Sequence, residues 1–174
     1  MSGHNKYSQI KDRKGAQDAK KSAVYTKMLM LVSVAAKQNP NPDNNPRLRA
    51  AIERAKEAKV PLENIERAVN KAAESKDLEE VLVEGYGPEG VGLLIEAITD
   101  NSNRTVSELR HLLDESGAKM ATQGSVQWSF EKVNNLWSAK FQQPISESGK
   151  QQLQELIDKI EEHNDVQRVI TNAQ

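Results

Sequence analysis

The sequence predicts an α+β protein: an N-terminal three-helix bundle followed by an α+β domain of order ββαββαβ, with its helices packed on one face of a sheet. Three observations predict it. Apolar residues recur at helical spacing up to about Ala72, and the period then switches to alternation and continuous apolar runs from Val81 to Thr99. Turn-forming clusters at Asn39–Pro46 and Gly85–Gly90 separate the periodic segments. At 174 residues the chain suits one domain or two small ones, and with few aromatic residues its core must rest on Leu, Ile, Val and Ala.

In chain order, residues 1–15 contain only Tyr7 and Ile10 as large apolar side chains after Met1, too few to offset the ordering cost of a packed segment, so a flexible basic arm is expected there. From about Ala16 to Gln38, Val24, Met28, Leu31, Val32 and Ala35 mark an amphipathic helix, stopped by three prolines and four asparagines between Asn39 and Pro46. Asn45 can cap a second helix ending near Lys59, with Pro46 in its first turn and Leu48, Ala51, Ile52, Ala55 and Ala58 as its stripe. Pro61 opens a third helix with Ile65, Ala68, Val69 and Ala72 facing inward. Three short helices bury these faces only against each other, so residues 16–76 form the bundle and 77–174 the second domain.

In that second domain Val81 to Glu84 reads as a strand, Gly85–Gly90 as a hairpin turn, and Val91–Thr99 as a central strand apolar on both faces. Thr105 and Glu108 have the spacing of a capping box for a helix stopped near Gly117. Val126, Trp128 and Phe130 alternate with polar residues as in a half-buried strand, and Asn134-Asn135 turns it into Trp137, Ala139 and Phe141. Ser146 can cap a last helix carrying Leu153, Leu156, Ile157 and Ile160, and Val166–Thr171 closes as a strand.

The net charge of −1 conceals a division. Up to Lys76 there are 16 Lys and Arg against 8 Asp and Glu, a balance of +8, and from Asp77 onward 8 against 17, a balance of −9. A near-neutral total therefore says nothing against nucleic-acid binding, because the field that matters belongs to the half that meets the ligand. There is no cysteine, which excludes disulfides, thiol catalysis and thiolate metal sites and agrees with a reducing compartment. No apolar run approaches the ~20 residues that span a bilayer, so a cytoplasmic protein without membrane partners is expected.

The candidate nucleic-acid-binding residues are Lys6, Tyr7, Lys11, Arg13, Lys14, Lys20, Lys21 and Lys27, with Arg47 and Arg49 at the start of the second helix. Clustered cations beside an aromatic ring are the usual footprint of a polyanion site. The bland alternatives are a tail made basic for solubility and ordinary helix-surface lysines. Asn101, Asn103 and Arg104 form a candidate RNA or partner loop, or simply the approach to a helix cap. Gly85–Gly90 lacks the Lys-Ser or Lys-Thr of a phosphate loop. Catalysis would need Glu84, Glu96 and Asp100 to gather around a metal, but alternating charges on strands are usually solvated, and His4, His111 and His163 are scattered. No catalytic residue, metal or cofactor is expected.

Taken together, these segments resemble the YebC family, described as transcriptional regulatory proteins and including the mitochondrial translational activator of cytochrome c oxidase. Gly3-His4, Lys6 and Ile10-Lys11 are similar to the family's opening, and Ala16–Lys20 with Thr26-Lys27 to the segment after it. Asn45–Ile52 and Pro61 with Asn64–Ala68 fit its bundle; Gly85–Val91, Thr99–Thr105, Gly124–Val126 and Asp165–Gln167 fit its second domain. Tyr7 stands where the family has Trp, and a hairpin over about 131–143 stands where it carries an inserted third domain. The resemblance implies a non-enzymatic regulator of transcription binding DNA through the basic N-terminal region. Its alternatives are a translational activator contacting ribosomal or transfer RNA at the ribosome, and a protein-interaction module. A monomer is the expected state.

Overall fold

Helix α1 (Asn5–Ala36) begins well before the expected Ala16. The computed structural model describes the backbone of residues 5–72 and 78–174, and side chains from Gln17 onward in these stretches. Residues 5–15 are thus helical where a flexible arm is expected. Lys, Arg, Gln and Ala are good helix formers, no proline precedes Pro40, and one glycine such as Gly15 costs only about 1 kcal/mol. A helix nucleated by its packed C-terminal half propagates back through such residues without an apolar face of its own.

The chain divides into two compact units, Met1–Lys76 and Asp77–Gln174. In the first, α1 packs on α2 (Pro46–Glu57) and α3 (Leu62–Lys71). Val32, Ala35, Leu48, Ala51, Ala55 and Ile65 form the centre of its core. Val24, expected on the inward stripe, is exposed, because the packed part of α1 starts with Tyr25 and Met28. Between α1 and α2, a 3₁₀ turn at Pro42–Asn44 is followed by the buried Asn45. Its side-chain oxygen accepts from Leu48 N at 2.9 Å and caps α2, while its amide donates to Ala35 O at 2.8 Å and Asn39 O at 2.7 Å. One side chain therefore starts α2 and ties it to the end of α1.

The second unit is built on an antiparallel sheet of order β3-β1-β2-β6, made from β1 (Glu79–Tyr86), β2 (Gly92–Thr99), β3 (Lys119–Met120) and β6 (Val166–Thr171). Helices α4 (Ser102–Glu115) and α5 (Glu147–Glu161) cover one face, where Val83, Leu93 and Ile95 meet Leu109, Leu113, Leu156 and Ile160. Strand pleating sends Leu94 and Leu82 to the other face. There they pack with Val126, Phe130 and Trp137 from a hairpin of β4 (Phe130–Val133) and β5 (Leu136–Ala139). The central β2 is consequently buried on both sides, as its apolar run predicts.

Two expectations are corrected here. The hairpin forms its own two-stranded layer, joined at Asn134 and Asn135 with φ 51° and 62°, and the short β3 supplies the outer strand beside β1. The alternation Val126, Trp128, Phe130 is not a strand: Gln127–Ser129 is a 3₁₀ turn that turns Trp128 to solvent. Glu84 is the cause. Its buried carboxylate accepts from the backbone N–H groups of Gly124, Val126 and Gln127, the last two at 2.7 and 2.9 Å, which gathers the segment around one point and prevents extension.

The Gly85–Gly90 segment joins β1 to β2, with Glu89 in the left-handed region at φ 53°. Glu89 accepts from both N–H and O–H of Ser146, the residue that caps α5, and these hydrogen bonds hold its carboxyl below the usual range. Gly149 leaves room for this contact, since a Cβ there would lie 2.6 Å from Glu89 Oε1 and make that carboxylate shift.

Candidate nucleic-acid interface

The basic candidates of the first unit fall largely on α1. Helix α1 carries Lys6, Lys11, Arg13, Lys14, Lys20, Lys21 and Lys27 against Asp12 and Asp18, over a length of about 48 Å at 1.5 Å per residue. The side chains of Lys6, Tyr7, Lys11, Arg13 and Lys14 lie outside the described residues. Lys20 and Lys21 are exposed. The Lys21 ammonium lies 5.5 Å from the Tyr25 ring centroid, and Tyr25 donates its hydroxyl proton to Lys59 O at 2.6 Å, which anchors the ring against the connection from α2 to α3. Lys27 and Arg47 are half-buried and engaged by other groups of the chain. Arg49 is exposed, and its guanidinium donates to Pro42 O at 3.2 Å and Asp43 O at 3.0 Å, so it clasps the 3₁₀ turn ahead of α2.

The second candidate loop, Asp100–Thr105, is organised inward. Asn101 caps α4 by accepting from Arg104 N at 3.0 Å, which corrects the capping box read from Thr105 and Glu108. Thr105 lies inside the helix and is fully buried; its hydroxyl lies 2.6 Å from Asp165 Oδ2 and 2.8 Å from Thr99 Oγ1. Arg104 donates to Asp165 at 2.9 Å and Asp100 at 2.9 Å, with Glu108 at 3.9 Å. The hydrogen bond to Asp165 chiefly raises the Arg104 pKa. Burial pushes Asp165 up, but hydrogen bonds from Thr105, Arg104 and Thr99 outweigh it and hold the carboxyl below its ordinary value. Asn103 is exposed, as are Asp100, Asn101 and Arg104. Only the folded chain brings Asp165 to this loop, from 61 residues away.

The same place gathers Glu108, His163 and Asp165, whose ligand atoms lie within 4.8 Å of one another, so His163 is less isolated than its sequence position suggests. The geometry is that of a hydrogen-bond network. Asp165 N donates to His163 Nδ1 at 3.1 Å, which leaves the Nε2 proton to be donated to Glu108 at 2.9 Å. Arg104 already supplies the positive charge, and a cation would have to displace it. The three carboxylates considered for catalysis have separate partners: Glu84 has three backbone amides, Glu96 pairs with Arg168 at 3.0 Å, and Asp100 pairs with Arg104.

One exposed group escaped the sequence reading. Tyr86 and Trp128 both donate to Ser125 O, at 3.0 and 2.8 Å, and the Trp128 and Phe141 ring centroids are 5.7 Å apart. Alternation placed Trp128 on a half-buried strand and Phe141 on the strand after the Asn134-Asn135 turn; the capture of residues 124–127 by Glu84, which displaces Trp128, is not visible without the fold.

Comparison with known proteins gives consistent matches across both units. The profile of the TACO1/YebC protein N-terminal domain matches residues 5–75, and that of the TACO1/YebC second and third domain matches 78–138. A "probable transcriptional regulatory protein" of Thermotoga maritima is 52% identical over 136 residues, covering 76% of this chain and 54% of the relative. One from Koribacter versatilis is 45% identical over 143 residues, covering 80% and 58%. The chain spans a little over half the length of these curated relatives. Among solved structures, a conserved hypothetical protein of Aquifex aeolicus superimposes with a TM-score of 0.82 at 31% identity, covering 90% of this chain and 91% of that one.

Proposed function

The chain belongs to the TACO1/YebC family, and on that premise we propose that it is a non-enzymatic regulator of gene expression that binds DNA through its cation-rich N-terminal helix α1. The observation that carries this reading is α1 itself, a single helix with seven cations and two acids in a unit of charge +8. Double-stranded DNA presents one phosphate charge per about 1.7 Å, so a rod of this length can meet several phosphates at once. The name that these relatives carry, "probable transcriptional regulatory protein", supports the regulatory role. Separate partners for Glu84, Glu96 and Asp100 support a function without catalysis, and among the described residues no helix is long and apolar enough to cross a membrane.

A second reading, RNA contact at the ribosome in support of translation, is favoured by the exposed rings Tyr86, Trp128 and Phe141, because rings stack on unpaired bases that a duplex does not offer. Titrating a labelled DNA duplex, a single-stranded RNA and ribosomes across a salt series tests both. If about five phosphates are neutralised, log affinity for the duplex falls with log salt at a slope of roughly −4. Substituting Lys20→Glu and Lys21→Glu together then weakens binding and flattens the slope. Unchanged affinities would overturn the role of α1, and metal-dependent turnover of nucleotides or phosphodiesters would overturn the non-enzymatic reading.

A further inference from the structure

The second unit is acidic overall, with a balance of −9, yet residues 119–143 carry Lys119, Lys132 and Lys140 against Glu131 alone. Trp128 and Phe141 belong to that locally basic stretch, and Tyr86 on β1 lies beside it. Tyr86, Trp128 and Phe141 are 40%, 64% and 51% exposed, in a chain with only seven aromatic residues. Lys119 pairs with Tyr86 across β3 and β1, and the Lys140 ammonium lies 5.3 Å from the Phe141 ring centroid.

The rings are held in place before any ligand arrives. Ser125 O accepts from both the Tyr86 hydroxyl and the Trp128 indole N–H, and Ser125 sits in the segment fixed by the buried Glu84 carboxylate. The backbone of Phe141 is fixed by its N–H, which donates to Ser129 O at 3.1 Å, and its ring lies against that of Trp128. The polar groups of Tyr86 and Trp128 are thus satisfied internally, so the surface left to solvent is mostly ring carbon. Rings anchored in this way lose little freedom on binding a flat partner.

We propose that this face is a stacking platform for unpaired bases of RNA, with Lys119 and Lys140 meeting the phosphates between them. Rings interleaved with lysines accommodate successive bases without demanding a sequence. Gln127 and Gln142, next to Trp128 and Phe141 in the chain, are uncharged donors and acceptors suited to base edges and the 2′-hydroxyl, which distinguishes RNA from DNA. The proposal deepens the RNA reading above and uses none of the α1 residues, so it and the DNA reading of α1 can fail separately.

The test measures binding of the full chain to a labelled uridine-rich RNA of about a dozen nucleotides, the DNA of the same sequence and a duplex, at one salt concentration. Trp128→Ala and Phe141→Ala each lower RNA affinity about tenfold, with duplex affinity and circular dichroism unchanged, while Trp128→Phe retains most of it. In a Trp137→Phe background, the remaining Trp128 fluorescence is quenched on RNA addition. Unchanged RNA affinity in both alanine variants overturns the platform, as does equal binding of the matched DNA, or ring removal that alters self-association in place of RNA binding. Lys20→Glu with Lys21→Glu lowers binding of all three probes if α1 acts as proposed, and leaves ring-dependent selectivity for RNA intact.

Discussion

Arg104 donates to Asp165 at 2.9 Å across 61 residues of sequence, joining the start of α4 to the residue before β6. Thr105 bonds the same carboxylate oxygen at 2.6 Å, so one aspartate holds the helix to the closing strand.

This contact makes stability of the second unit sensitive to acid. The Asp165 pKa is depressed in the fold, so its contribution is complete above the ordinary aspartate value of about 3.9 and is lost as pH falls through the lower folded value. Asp165→Asn keeps the shape but not the charge. It should destabilise by about 1–3 kcal/mol at neutral pH and flatten the acid limb of urea-unfolding stability measured from about pH 6 to about pH 2. An unaltered acid limb would show that the depressed carboxyl is not Asp165.

Glu84 is the second test. A buried carboxylate that receives three backbone N–H groups is matched by charge as well as geometry. Glu84→Gln retains an acceptor but points an amide N–H at a backbone donor. A loss of about 2–3 kcal/mol is expected in chemical denaturation. A change below about 0.5 kcal/mol would mean that the segment holds itself.

In the first unit, Asn45 separates capping from tethering. Asn45→Ala removes one accepted and two donated hydrogen bonds and should cost about 2–4 kcal/mol. Asn45→Asp preserves the cap oxygen yet sets a carboxylate against Ala35 O and Asn39 O. If the tether matters as much as the cap, thermal unfolding finds the aspartate variant no more stable than the alanine one; full retention of stability by aspartate would leave only the cap.

Much of the fold was legible because periodicity reports directly on burial. Leu48, Ala51 and Ala55 lie on the predicted stripe of α2, and Val91–Thr99 reads as central because a strand covered on both faces must be apolar throughout. Asn45 and Ser146 were readable as caps, and Pro46 as a first-turn residue, because these signals are local. The N-terminal boundary was not. Helix α1 extends through residues without an apolar stripe, on propensity and on a nucleus packed further along.

The candidate sites divide along the same line. Sequence alone determined the split between basic and acidic halves, the cation-rich opening and the resemblance to one family, since charge and motif order need no third dimension. Tertiary structure decided what individual groups do. It committed Arg49 to the turn before α2 and Arg104 to Asp165, enclosed Glu84 among backbone amides, and turned Trp128 outward beside Tyr86 and Phe141. Each outcome depends on a partner distant in sequence, and a carboxylate or ring has no fixed role until packing determines which atoms replace its water.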